Sequence, residues 1–290
     1  MTTTRYLDRD GARLAYDLTL PTASTAADPA TAPLAVCVPG MGDLRSTFRH
    51  LVPALAAAGL RVATLDLRGH GDSDTTFDAF DDVAAGGDAL ALVEHLGGPA
   101  VLVGNSMGAG AAVWAVAERP DLVVGLALTG PFVRDPAAGL TGAAMRLVMR
   151  LILLRPWGPA AWRSYLASLY PGGFDADTAA HAERIRAALR RPGRWRAFQR
   201  TTRTTHEPAR ARLARVKVPT LLVMGSRDRD WSDPVREVNE IAALLGGTDG
   251  PADQVEVLVV EGAGHYPHSQ APAACVPAIV ELARRGHARG

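Results

Sequence analysis

The sequence predicts an α/β fold: a mostly parallel, doubly wound sheet of about eight strands, helices on both faces, and a helical insertion. Three observations carry that expectation. Short apolar runs alternate with helical stretches along most of the 290 residues. The alternation stops near Pro131, gives way to helical periodicity rich in arginine up to Arg215, and resumes at residues 218–224. Each polar, glycine-bearing segment falls at the carboxyl end of a predicted strand, where open α/β sheets gather their ligands.

The elements follow in order. Residues 5–8 and 13–17 alternate apolar and polar around Asp10-Gly11, which predicts a hairpin. Residues 20–33, rich in Pro, Ala and Thr, predict a loop. Residues 34–38 predict a buried strand that runs into Pro39-Gly40-Met41-Gly42-Asp43. A helix is expected over 48–58 and a strand over 61–65, which ends in the polar loop 66–74. A helix over 83–96, a strand over 100–103, a helix over 109–117 and a strand over 122–128 follow. The last strand is expected at 254–260 and the last helix at 271–285. No internal repeat is evident. The chain thus divides into a first core part, 1–133, an inserted helical cap, 134–215, and a second core part, 216–290.

Composition narrows the function classes. The 31 Lys and Arg against 30 Asp and Glu give a net charge of +1, which points away from nucleic acid. Lys217 is the only lysine, and with the abundant Ala, Gly and Pro this reflects a coding bias. The first residues contain no apolar stretch of signal-peptide length, so a cytoplasmic protein is expected. Residues 147–154 are apolar but broken by Arg150 and too short to span a bilayer, so no stable membrane insertion is expected. Two cysteines, Cys37 and Cys275, are too few for a disulfide framework, and Cys37 reads as a small core residue.

The chemistry is concentrated in a few segments. In Gly104-Asn105-Ser106-Met107-Gly108 a serine is pinched between Gly104 and Gly108, after a strand and before a helix. That pattern is a nucleophile elbow: small neighbours permit a strained serine backbone, which holds the hydroxyl above the sheet edge. Asp66 to Ser73 reads D-x-R-G-H-G-x-S, Gly225 to Asp228 reads G-x-x-D after a strand, and Gly262 to His265 reads G-x-G-H. Each has a plain structural reading as a helix start, a turn cap or a loop. Their agreement in order and context weighs against it.

Taken together, these motifs resemble the α/β-hydrolase superfamily, in its serine-nucleophile, esterase/lipase/haloperoxidase-like branch with a helical cap. The resemblance covers nearly the whole chain. It implies that Ser106 attacks the substrate, His265 takes its proton and Asp228 orients His265. The chemistry asks for the same division, because a serine hydroxyl is a poor nucleophile without a base, and histidine titrates near neutrality. His268 and Asp230 are the neighbouring competitors. For the oxyanion hole the resemblance implies the backbone N–H of Met107 and of Met41. Pro39 departs from the histidine that the family usually carries there. Asp66 and His70 are expected to brace the sheet edge rather than to react.

The insertion supplies the candidate pocket. Residues 140–154 form an amphipathic helix expected to pack on the core and roof the site, with Met145 and Met149. Trp157, Trp162, Tyr165, Leu169 and Tyr170 are the aromatic and apolar candidates for an acyl pocket. Residues 134–217 hold 17 basic and five acidic side chains. This is either a solvated helical face or a surface that steers an acyl carrier protein or a CoA thioester. No metal or organic cofactor is implied.

The expected function is hydrolysis of an ester, thioester or lactone through a Ser106 acyl-enzyme. Aspartate-nucleophile reactions of this fold, in epoxide hydrolases and haloalkane dehalogenases, are disfavoured by the serine. Acyl transfer, C–C cleavage and perhydrolysis use the same triad. A small-molecule binding protein with an idle triad, which Pro39 favours, is the alternative of another class.

Overall fold

The computed structural model describes residues 3–22, 29–137, 139–245 and 254–289. Its single sheet has eight strands in the order β1-β2-β4-β3-β5-β6-β7-β8. They are β1 (Arg5–Arg9), β2 (Ala12–Thr19), β3 (Leu34–Val38), β4 (Arg61–Leu65), β5 (Ala100–Asn105), β6 (Val123–Thr129), β7 (Thr220–Gly225) and β8 (Val255–Val260). β1 and β2 form the predicted antiparallel hairpin, and β2 meets β4 antiparallel. Every pairing from β4 onward is parallel. The chain enters the sheet centre at β3 and winds outward in both directions, so β5, at mid-sheet, delivers its carboxyl end to the middle of one rim.

The central strands read as continuous apolar runs because helices cover both faces. All residues of β3, β4, β5 and β7 are buried. On one face α2 (Asp82–His95), α3 (Met107–Glu118) and α9 (Pro234–Leu244) pack on Val36, Leu102, Leu126 and Leu222. On the other, α1 (Leu51–Ala57) and α11 (Pro272–Arg289), which follows the single turn α10 (Pro267–Gln270), cover Cys37, Val101, Val103 and Val223. Burying one such Val or Leu contributes about 1.5–3 kcal/mol. Cys37 and Cys275 are both buried free thiols.

Between β6 and β7 lie only helices among the described residues: α4 (Gly139–Ile152), α5 (Gly158–Ser168), α6 (Ala176–Arg190), α7 (Arg194–Thr201) and the single turn α8 (Glu207–Arg210). They build their own small core from Leu153, Trp162, Leu166, Ile185, Trp195 and Phe198. Two details depart from the sequence expectation. The helix expected over 48–58 is the shorter α1, preceded by a separate 3-10 turn, Arg45–Phe48, whose first N–H bonds the Asp66 carboxylate. The helix over 140–154 does not pack into a core on all its apolar positions. Leu140, Leu147, Val148 and Leu151 stay exposed, because the apolar positions of α4 extend beyond the one face that has a partner. No helix among the described residues is long and apolar enough to cross a membrane.

Candidate active site

β5 ends at Asn105 and α3 starts at Met107, so Ser106 alone makes the turn. Its φ is 54° and ψ −122°, a left-handed conformation that costs a non-glycine residue about 1–3 kcal/mol. Three backbone hydrogen bonds hold it there. Ser106 N–H donates to Thr129 O at 3.1 Å, and Ser106 O accepts from Ala109 N–H at 2.9 Å and Phe132 N–H at 3.2 Å. The two flanking glycines are required by close approach. A Cβ on Gly104 would lie 2.4 Å from Gly108 O, and one on Gly108 would lie 2.1 Å from Val38 O. The turn is therefore folded flat against the end of β3.

The loop after β3 closes on the serine from the other side. A Cβ on Gly40 would lie 2.9 Å from the Cβ of Ser106. Met41 faces the same cavity as Ser106. The N–H of Met107 opens α3, where no residue one turn earlier lies in the helix to accept it. The Met41 N–H has no hydrogen-bond partner among the described residues. With Pro39 in place of a histidine, this loop is braced from another strand: His70 Nε2 accepts the Gly42 N–H at 2.9 Å, while its Nδ1–H donates to Arg68 O at 2.9 Å. Burial lowers the His70 pKa, which favours the neutral ring that this pair of bonds needs. Asp66 holds Arg45 and the Asp72 N–H. Both residues of the polar loop thus brace the rim. Asp43 adds a buried bond to His181 on α6 at 2.8 Å, which joins the loop to the helical segment.

His265 comes from the turn after β8. That turn and the one after β7 touch through their motif glycines: a Cβ on Gly225 would lie 2.1 Å from Gly264 O. This contact sets Asp228 beside His265. The His265 Nδ1–H donates to Asp228 Oδ2 at 2.8 Å, and Asp230 Oδ2 stands farther away at 3.4 Å. Asp230 is instead held by the Tyr165 hydroxyl, which donates to its Oδ1 at 2.6 Å. Burial opposes a charge on His265, but Asp228 and then Asp230 outweigh it and lift its pKa to about 9. Burial raises the Asp230 carboxyl above the usual range. His268 is not a competitor in space: its ring lies between the Thr47 and Thr129 hydroxyls, and burial pushes its pKa down to about 3.

Ser106 and His265 open into one cavity of about 200 Å³, roofed by the inner face of α4. Of the predicted lining, Met145, Met149, Trp162, Tyr165 and Leu169 are present. Trp157 is not. Its indole N–H donates to Leu151 O at the end of α4, which turns the ring outward to 54% exposure. Tyr170 is likewise absent, because it stacks on Tyr266 at 5.1 Å in the helical core. The sequence reading missed Phe132, Asp135, Arg146 and His206, which also face the cavity. Asp228, Asp230 and His265 each offer one ligand atom within 4.8 Å of the others. The 2.8 Å His265–Asp228 bond accounts for that approach without a metal.

The comparisons with known proteins bear on the family and the fold. A family model described as the Alpha/beta hydrolase family matches residues 35–278. A pimeloyl-[acyl-carrier protein] methyl ester esterase from Neisseria meningitidis serogroup A is 31% identical over 251 residues, which is 83% of this chain and 75% of that protein. A 2-(acetamidomethylene)succinate hydrolase from Mesorhizobium japonicum is 28% identical, over 86% of this chain and 87% of that one. Among solved structures, a bromoperoxidase from Bacillus anthracis superposes with a TM-score of 0.79 at 16% identity, covering 98% of this chain and 100% of the other. The chain belongs to the alpha/beta hydrolase family and is a hydrolase.

Proposed function

We propose that the protein hydrolyses a carboxylic ester or a related acyl bond, thioester or lactone, through a Ser106 acyl-enzyme. The observation that carries this reading is the strained Ser106 sharing a cavity with His265, whose Nδ1 is fixed by the buried Asp228. With Nδ1–H committed to Asp228, the neutral ring has its lone pair on Nε2. Nε2 takes the Ser106 proton as Oγ attacks the acyl carbon, and the Met41 and Met107 N–H groups receive the oxyanion. Collapse expels the alcohol or thiol, which takes its proton from His265. A water that His265 deprotonates then attacks the acyl-enzyme, and release of the acid restores Ser106. Asp228 stabilises the transient imidazolium throughout, and the raised His265 pKa is that stabilisation seen at rest.

Residues 134–215 act as the cap over the site. The inner face of α4, with Met145 and Met149, and the aromatic pair Trp162 and Tyr165 suit an apolar acyl group. Outside the cavity, Arg155, Arg190, Arg191, Arg196, Arg200 and Arg203 line one surface hollow. That hollow suits an anionic carrier such as an acyl carrier protein or CoA, and the Neisseria relative's printed name includes a carrier protein. An idle triad is disfavoured, because His70 supplies the brace that Pro39 lacks.

The test is turnover of p-nitrophenyl esters from acetate to decanoate by wild type and Ser106→Ala. Serine-dependent turnover is expected, with the chain-length optimum sizing the cavity. Equal activity in both proteins would remove the proposal.

A further inference from the structure

The cavity has a second polar station. His206 lies just before α8, is buried, and its Nδ1–H donates to Asp82 Oδ2 on α2 at 2.8 Å. Its other ring nitrogen, Nε2, makes no hydrogen bond among the described residues and is not among their buried unpartnered atoms, while the ring faces the cavity. Nε2 is therefore the accessible edge of a nearly buried ring. Arg146 faces the same cavity from α4, with Nη1 near Gly142 on that helix. Asp135 links the two, since one of its oxygens accepts the His206 backbone N–H at 3.1 Å and the other lies 3.9 Å from the Arg146 guanidinium. At 3.9 Å that ion pair is too long for a hydrogen bond, so the guanidinium keeps its donors for a ligand. Phe132 stands between this station and the proposed catalytic base. Its ring centroid is 5.5 Å from that of His206 and 5.7 Å from that of His265.

We propose that His206, held by Asp82, and Arg146 form a subsite that receives a carboxylate of the substrate, one aromatic ring away from His265. A plain hydrocarbon chain would leave the Nε2–H of the protonated, buried His206 ring facing apolar atoms, which is costly, and would give the partly exposed Arg146 guanidinium no partner. A carboxylate would give both a charge-assisted partner. Burial opposes a charge on His206, but Asp82 and Asp135 outweigh it and raise its pKa, so the ring is disposed to donate from Nε2. The substrate class is then an ester whose acyl part ends in a carboxylate, a half-ester of a short dicarboxylic acid. This inference rests on the reading above, in that the ester end lies at Ser106.

The experiment is a ligand-observed NMR titration of the Ser106→Ala protein, which binds without turnover. The probes are monomethyl esters of unbranched dicarboxylic acids from succinate to suberate, each against its dimethyl ester. At least one monoester should bind about tenfold tighter than its diester, the size of a charge-assisted hydrogen bond. Adding His206→Gln should abolish that preference. Arg146→Gln, at a partly exposed side chain, should reduce it too, and decides the matter alone if the buried substitution prevents folding. No preference across the series, or a preference that survives these substitutions, would overturn the subsite. Turnover of p-nitrophenyl butyrate by wild type is read separately. Its absence would remove the hydrolase reading and leave the binding result standing.

Discussion

Two helices border the site and have opposite fates. α3 carries Ser106 at its start and is buried along almost its whole length, wedged between β5 and α2. α4 lies over the cavity mouth and, of its described residues, buries only Gly142. α3 is mostly Ala, Gly and Val, small enough to pack on every side, whereas α4 sets Leu and Met beside Arg146 and Arg150. α3 is fixed at its first turn by the backbone bonds of Ser106 and by glycines that permit direct contact with β3 and Asp82. α4 has no such tie to the sheet, and meets the cavity through Gly142, Met145, Arg146 and Met149. The comparison separates two jobs. Groups proposed for chemistry sit on backbone-tied turns at strand ends, and groups proposed for selectivity sit on a helix held by one face.

That contrast can be broken at several points, the largest effect first. Ser106→Ala or His265→Ala should lower kcat/KM by about 10⁴-fold or more, with thermal unfolding little changed, as assays and calorimetry would show. Gly108→Val should prevent folding or cost several kcal/mol, because its Cβ collides with the fixed Val38 carbonyl. Circular dichroism melting checks this.

Asp228→Asn should cost about 10³–10⁴-fold in kcat, and Asp230→Asn less than about tenfold, since only Asp228 bonds Nδ1. A reversed order would move the orienting role to Asp230. The same pair tests the electrostatics through pH. The base must be neutral, so kcat/KM should rise with pH to a plateau above the His265 pKa of about 9, and Asp230→Asn should shift that limb to lower pH. The folded pKa lies above the ordinary histidine value. The stabilisation is therefore complete below about pH 6.5 and is lost as pH rises through about 9. Melting temperature should fall across that window, and the fall should shrink in His265→Gln.

The smallest effect belongs to α4's outer face. Leu151→Gln should change stability by no more than about 0.5 kcal/mol, read by urea unfolding, because the side chain is already half exposed. Met149→Ala, on the inner face, should instead alter the preferred acyl length.

The same division explains what the sequence disclosed. The elbow and the Asp228 and His265 turns were legible because each requires glycine at a fixed spacing: Gly104 and Gly108, Gly225 and Gly264. The local letters record the close contact. The His70 brace was only half legible. Its loop was recognisable, but the Gly42 partner lies 28 residues earlier in the chain. Trp157 was misplaced because aromaticity marks a greasy residue without saying which way it points. His206 and Asp82, 124 positions apart, carry no local pattern, and only the packing of α8 on α2 and α3 joins them.

The most direct test of the central claim is intact-mass analysis after reaction with a fluorophosphonate, on wild type, Ser106→Ala and His265→Ala. A single stoichiometric adduct on Ser106 in wild type, absent from Ser106→Ala and strongly slowed in His265→Ala, is the predicted result. An unlabelled Ser106 in folded wild type, or equal labelling of the Ser106→Ala protein, would contradict the account.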